Sequence, residues 1–404
     1  MSKNIWIINE YAGSQYHGMS FRHYYLAKEF INLNYNTTII TASYSHFLKK
    51  FPNMKNRTYK LENIDGIDYL WIKVLKYSNS FDKKRIIKWF EFMIKLFFIS
   101  TKIKNKPDYI ICSPTAPFSI LPSYYLSKKF KAKLIFEVRD IWPLTLIELG
   151  KFSKNHPFIV FMGWFEKFAL KKSDILISNL QNYKKHIKNL DINKNNYWIS
   201  NGIFLDEMNN IELLSKDIEQ QIPKNKFIIG YTGTIGRANA IDYLLGAAKL
   251  MHNKNIIFLI VGDGKEKSKL VKQYKNSKNI IFINPIKKQQ IQSILKFFDI
   301  CYIGLQKENL FKYGVSPNKL FDYMYSAKPI IYAIDSGKSN IVKLANCGIS
   351  IEAENTNKIK ETIYELYSMS KEEKKILGDN GKKYVLEHFT YTKLANKFIK
   401  AIEA

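Results

Sequence analysis

Short apolar runs rich in isoleucine, separated by stretches of helical spacing, restrict this chain more than any other feature. "KNIWIINE", "NTTIITAS", "YIICSP", "KLIFEVRD" and "DILISN" follow one another in the first half, each bounded by polar or glycine-bearing segments. Runs of this length read as buried strands, and strands alternating with helices build a parallel sheet covered on both faces. From "KFIIGYTGTIG" the pattern restarts, with "NIIFLIVGDG", "NIIFINP", "ICYIGL", "KPIIYAI" and "GISIE". At 404 residues the chain exceeds one ordinary core, so two domains of roughly 200 residues are expected. The predicted class is α/β: two Rossmann-like, doubly wound domains facing across a cleft, with ligands beyond the carboxyl ends of the strands. The expected boundaries are 1–204 and 205–387, a polar linker covers 204–224, and a closing helix over 388–404 packs back on the first domain.

The formal net charge is +28, and residues 1–200 hold 32 Lys and Arg against 14 Asp and Glu, so the excess sits in the first half. Nucleic acid, anionic lipid and phosphorylated substrates all attract such a protein. The 26 tyrosines and 27 phenylalanines fall mostly in apolar strands and helices without a recognition motif, which argues against a nucleic-acid partner. Cys112, Cys301 and Cys347 lack paired spacing, so neither a zinc site nor a disulfide frame is expected, and the compartment reads as reducing. "MSKNIWIINEYAG" lacks the pattern of a cleavable signal peptide, and no apolar run is long enough to span a bilayer. The expected location is cytoplasmic, at the inner face of the cell membrane.

That membrane expectation rests on residues 83–106, "KKRIIKWFEFMIKLFFISTKIKNK", with eight basic residues against one acidic, Glu91. Lys84, Lys88, Glu91 and Lys95 form a narrow polar stripe at helical spacing, and apolar residues cover the remainder. A helix lying in the lipid interface with its lysines toward anionic headgroups fits this pattern, as does one packing its apolar face into the first domain.

Residues 230–247, "GYTGTIGRANAIDYLLGA", carry an apolar strand into a glycine turn and a helix-like run. Glycines there let a phosphate approach the backbone at the positive end of a helix dipole. The stretch offers neither the G-x-G-x-x-G of dinucleotide binders nor the Lys-Ser or Lys-Thr of a P-loop. A glycine serving only to turn the chain remains the alternative on this segment alone.

Three stretches, "GYTGTIGRANAIDYLLGAAKLM", "FLIVGDGKEKSKL" and "YGVSPNKLFDYMYSAKPII", resemble the nucleotide-sugar half of family 4 glycosyltransferases of the GT-B fold, in the branch that builds bacterial surface polysaccharides such as O-antigen and capsule. "FEVRDIWPLTLIELG" is similar to that branch's first-domain signature, "SNG" at 200–202 to its interdomain turn, and "EHFTYTKLANKFIKAIEA" to its closing helices. The resemblance implies a retaining hexosyltransferase without an obligatory metal or cofactor. It would move a sugar from a nucleotide-sugar donor, a UDP-sugar, N-acetylated or not, to a lipid-linked polyprenyl-diphosphate glycan. Arg237 and Lys319 match the family's basic pair on the diphosphate, where donors aimed at developing charge lower the barrier. Of the family's two glutamates eight positions apart, the first is Gly314 here and the second Asp322, a carboxylate suited to the ribose hydroxyls. Sugar contacts at Gly314, Val315 and Ser316 then fall to backbone N–H groups or the Ser316 hydroxyl. Gly233 and Gly236 line the phosphate turn, and the base lies against the loop of Pro285. In the first domain, Gly13 and Gly18 approach the diphosphate from the opposite side, and Asp140, ending "KLIFEVRD", orients donor or acceptor hydroxyls unless it pairs with Arg139. His17, Arg139 and Glu148 are the acceptor-side candidates, His17 on a loop where solvation is its ordinary state. A UDP-sugar epimerase of the same fold is the alternative enzyme, and a free substrate gives it no use for the basic amphipathic stretch.

Overall fold

A computed structural model describes residues 2–18, 21–78, 82–337 and 340–404. The chain divides into two units: Met1–Ser200 with Tyr391–Ala404, and Asn201–Thr390. The strands of the first unit are β1 (Asn4–Ile8), β2 (Asn36–Ala42), β3 (Tyr59–Ile64), β4 (Ile67–Ile72), β5 (Tyr109–Cys112), β6 (Lys133–Val138), β7 (Ile175–Ser178) and β8 (Asn196–Trp198). They form one sheet in the order β3-β4-β2-β1-β5-β6-β7-β8, parallel throughout except for the β3–β4 hairpin. The order reverses between β1 and β5, so the loops after these two strands flank the switch point where doubly wound sheets bind ligands. Ile5, Ile7, Ile39, Ile40, Ile110 and Leu134 are fully or almost fully buried, as strands covered on both faces require.

The β3–β4 hairpin was not expected. Its signal is "NIDGID", in which Asp65 and Gly66 both adopt positive φ (52° and 85°), the pairing that a two-residue hairpin turn demands.

In the second unit, β9 (Phe227–Thr232), β10 (Ile256–Val261), β11 (Ile280–Ile283), β12 (Ile300–Gly304), β13 (Ile330–Ala333) and β14 (Gly348–Ile351) form a sheet in the order β11-β10-β9-β12-β13-β14. All its pairings are parallel, and its switch point lies between β9 and β12. Helices Ile241–Lys249 and Thr356–Ser368 cover one face of it through Leu244, Leu245, Ile359 and Ile363.

Residues 204–224 do not form a free linker. Glu212 donates its N–H to the Gln289 carbonyl, the Ser293 hydroxyl donates to the Glu212 carbonyl and the Gln290 amide to that of Leu213. Polar composition here reflects backbone groups bonded to the second unit rather than a mobile tether. The closing helix runs Tyr391–Glu403, whereas His388 still belongs to the preceding helix Lys371–His388. It covers helix Arg22–Asn32 within the first unit, with Phe398 against Phe30 and Tyr391 against Tyr25. At its tip Glu403 accepts from Lys3 and Tyr35.

Candidate functional site

In the second unit the site grows from the carboxyl end of β9. Gly233 has φ 128°, a conformation that only glycine adopts without strain. A Cβ there would meet the Lys319 ammonium at 3.1 Å. The next loop locks beneath it: Gly233 N–H bonds the Val261 carbonyl and Ile235 N–H that of Asp263, and a Cβ on Gly262 would fall 1.9 Å from the Gly233 carbonyl oxygen. Gly236 is extended backbone open to any residue. The helix does not begin at the glycines as expected, because a 3-10 turn, Arg237–Asn239, and Ala240 at φ 48° precede Ile241.

Helix Asn318–Tyr325 completes the cradle. Residues three and four apart share a helix face, and here Lys319, Asp322 and Tyr323 all act on it. The Tyr323 hydroxyl accepts the Thr232 N–H (2.7 Å), tying the helix to the end of β9. One turn earlier, Lys319 Nζ donates to the Tyr231 hydroxyl (2.6 Å) and to Asn239 Oδ1 (3.2 Å), and sits 4.0 Å from the centroid of the Tyr231 ring. Tyr231 in turn donates to the Thr234 carbonyl (2.6 Å). Among the described residues no carboxylate pairs with Lys319. Desolvation pulls its pKa down from 10.5 to about 7, as expected for an ammonium with neutral partners only. Arg237 is exposed on the same loop.

Asp322 is buried, and both its oxygens accept from Lys288 Nζ, at 2.6 and 2.7 Å. Lys288, just past β11, was missed in the sequence: in so lysine-rich a chain nothing marks one lysine, and the fold alone brings it to Asp322. Pro285 is exposed in the same loop. Gly314 has φ 104°, so its backbone conformation is sufficient reason for the glycine. The Ser316 hydroxyl accepts the Asn201 N–H (2.8 Å) and the Ser316 carbonyl accepts from the Asn201 amide (2.7 Å), which anchors the "SNG" segment. Val315 is half-buried between them.

In the first unit, Gly13 and Gly18 follow β1. The Gly13 carbonyl accepts from Tyr69 (3.0 Å). Gly18 has φ 109°, and a Cβ there would press on Lys49 N at 2.9 Å, so the close approach it permits is to the chain's own residues 47–49. His17 is not solvated: it is buried against Trp71, its Nδ1 3.0 Å from Ser14 Oγ, and burial lowers its pKa. At the end of β6, Asp140 keeps an exposed edge, yet desolvation raises its carboxyl pKa against the opposing charge of Arg139, which is half-buried with its Nε unpartnered; the two form no ion pair within 4 Å. Glu148 is half-buried, in helix Leu144–Glu148.

A buried network centred on Arg22, one of only five arginines in the chain, holds this end of the sheet. Burial alone would raise the Glu137 carboxyl, but the Arg22 guanidinium, with help from His23 and Ser113, holds it well below the usual range. Arg22 Nη2 lies 2.8 Å from Glu137 Oε1, and its guanidinium also donates to the Ile199 and Ser200 carbonyls. Ser113 donates to Glu137 Oε2 at 2.5 Å and lies 2.9 Å from His23 Nε2. The network fixes β5, β6 and helix Arg22–Asn32 around the switch point.

The basic stretch folds as helix Lys84–Leu96 and a short 3-10 turn, Ile99–Thr101; Lys88, Glu91 and Lys95 of its expected polar stripe turn to the protein, while Lys84 is exposed. Lys88 is fully buried, donating to the Glu10 carbonyl (3.0 Å) 3.9 Å above the Tyr11 ring. Glu91 accepts the Leu75 N–H, and Lys95 donates to the Lys73 carbonyl and to Glu91. Backbone acceptors and donors on the loops beneath outcompete solvent for these groups.

Residues 214–384 match the model of glycosyl transferases group 1. The match supports a glycosyltransferase. An Escherichia coli (strain K12) protein bearing the name colanic acid biosynthesis glycosyl transferase WcaI is 26% identical over 59% of this chain, and the match spans 60% of that relative's length. A Klebsiella pneumoniae 41.2 kDa protein in the cps region is 25% identical over 50% of this chain and 49% of its own. Among solved structures, sucrose-phosphate synthase from Thermosynechococcus elongatus superposes with TM-score 0.73 at 14% identity, covering 98% of both chains. Anabaena HepE in complex with UDP and glucose gives TM-score 0.68 at 11% identity over 100% of both. These likenesses carry the GT-B fold, two Rossmann-like domains.

Proposed function

We propose that this glycosyltransferase is a retaining, metal-independent enzyme of family 4 that transfers a hexosyl group from a UDP-sugar to a polyprenyl-diphosphate glycan in the assembly of O-antigen or capsule. One observation carries the donor half: among the described residues Lys319 is an ammonium with neutral partners only, against the Gly233 turn at the β9/β12 switch point. A diphosphate supplies the anion it lacks. As the bond from the sugar to the diphosphate breaks, negative charge grows on the leaving group, and Lys319 with the exposed Arg237 offsets it in place. Lys288 orients the Asp322 carboxylate for the ribose hydroxyls, and Asp140, beside Arg139 at its strand end, orients sugar or acceptor hydroxyls. Peripheral attachment through the basic stretch would bring the lipid-linked acceptor to the first unit.

Thermal unfolding with UDP-, GDP- and dTDP-sugars tests the reading. A ligand at a hundred times its Kd adds ~2.7 kcal/mol to the folded state. The expected result is stabilisation by UDP and one UDP-sugar, lost in Arg237→Ala and Lys319→Met variants that still fold. Indifference of the wild type to every nucleotide would overturn it.

A further inference from the structure

Because Lys88, Glu91 and Lys95 turn inward, helix Lys84–Leu96 presents apolar side chains outward: Ile87 is 57% and Ile94 54% exposed, and Phe98, just beyond the helix, 63%. Helix Pro157–Lys172 does the same. It buries Ile159, Met162, Phe165 and Leu170, yet its opposite face carries Val160 at 60%, Phe161 at 44% and Trp164 at 53% exposure. Apolar side chains that continue past a helix's buried side onto an uncovered face need a second apolar medium there. The two helices are joined through aromatic contacts: Phe90 meets Phe161, while Phe97 meets Tyr125 and Tyr124 meets Phe168 across the intervening helix Ile120–Phe130.

Charge identifies what covers this face. Lys84, Lys128, Lys129, Lys167, Lys171 and Lys172 are exposed on these three helices. Their two acids are both engaged within the protein, Glu91 by Leu75 and Lys95, and Glu166 by His186. Exposed apolar groups and exposed lysines on the same helices, with no exposed acid among them, form the pattern of a surface seated at the boundary of anionic lipid headgroups and acyl chains. A partner protein would be expected to meet some acid on a face of this size, and a second copy would bring lysines against lysines.

We infer that helix Pro157–Lys172 joins helix Lys84–Leu96 in one monotopic membrane-docking face, with Trp164 and Phe98 both entering the interface. The inference deepens the proposed peripheral attachment, which rests on the basic stretch alone, and it does not depend on which sugar is transferred.

The test is co-sedimentation with phosphatidylcholine vesicles with and without phosphatidylglycerol, together with quenching of tryptophan fluorescence by bromine-labelled acyl chains. Wild-type protein is expected to bind the anionic vesicles and to be quenched. The exposed-site double variant Val160→Ser/Trp164→Ser is expected to bind about ten-fold more weakly, and Trp164→Phe to bind normally with most of the quenching gone. Wild-type binding by the double variant would overturn the inference, as would quenching unchanged in Trp164→Phe. A wild-type dimer that Val160→Ser/Trp164→Ser dissolves, without vesicle binding by either, would assign the face to a second copy and equally overturn it. The UDP response belongs to the second unit, so its loss with vesicle binding intact would sink the donor assignment alone.

Discussion

Lys319 ties structure to chemistry at the scale of one side chain. Its pKa near 7 in the free protein must rise when a diphosphate settles beside it, so above neutrality the complex holds more protons than the free enzyme. UDP binding should therefore take up protons, and affinity should fall as pH rises from about 6.5 to 8.5. Calorimetry in two buffers of different ionisation enthalpy checks this: equal apparent enthalpies at about pH 8 would refute it. Lys319, Arg237 and Asp322 could be named from the sequence because they stand in motifs whose order carries the resemblance. Glu137 could have been found differently, as a carboxylate inside the apolar strand "KLIFEV", a placement that requires a buried cation. Its partner Arg22 lies 115 residues away, and no local pattern reports that distance. Lys288 stayed hidden for the same reason.

Among the elements, helix Lys84–Leu96 differs most from its sequence pattern. Periodicity established the helix and its amphipathic character, but it could not say which face the domain would take. The decision falls to Glu10, whose raised pKa reflects burial opposed by Lys88, with one carboxylate oxygen unpartnered. Lys88→Met removes the opposing charge. The folded Glu10 then holds its proton to still higher pH, and since the folded state binds more protons than the unfolded chain, stability must fall as pH rises through that window. Urea midpoints at about pH 5 and pH 8 should separate more in the variant than in the wild type, and equal separations would show that Lys88 and Glu10 do not interact. The β3–β4 hairpin and the attached segment 204–224 teach a related point. The first was written in an Asp-Gly pair and went unread, whereas the second could not be read, since its hydrogen bonds reach residues 289–293.

For the whole molecule, the restart of the strand pattern at residue 227 revealed two sheets, both doubly wound and parallel but for the β3–β4 hairpin in the first. The chain also visits the first unit twice. Helix Tyr391–Glu403 buries Phe398 on Phe30, both fully buried, and loss of such a contact costs ~3–5 kcal/mol per large aromatic. Ending the chain after Thr390 should therefore lower the unfolding midpoint of the first unit while UDP still stabilises the second; a single unshifted transition would contradict this. The second unit is closed at its own ends, where Ile203 bridges Thr390 and donates its N–H to the Phe389 carbonyl. Synthesis on the ribosome then inverts the written order: the unit that begins second has all its residues first, and the unit that begins first keeps Tyr25 and Phe30 uncovered until helix Tyr391–Glu403 emerges.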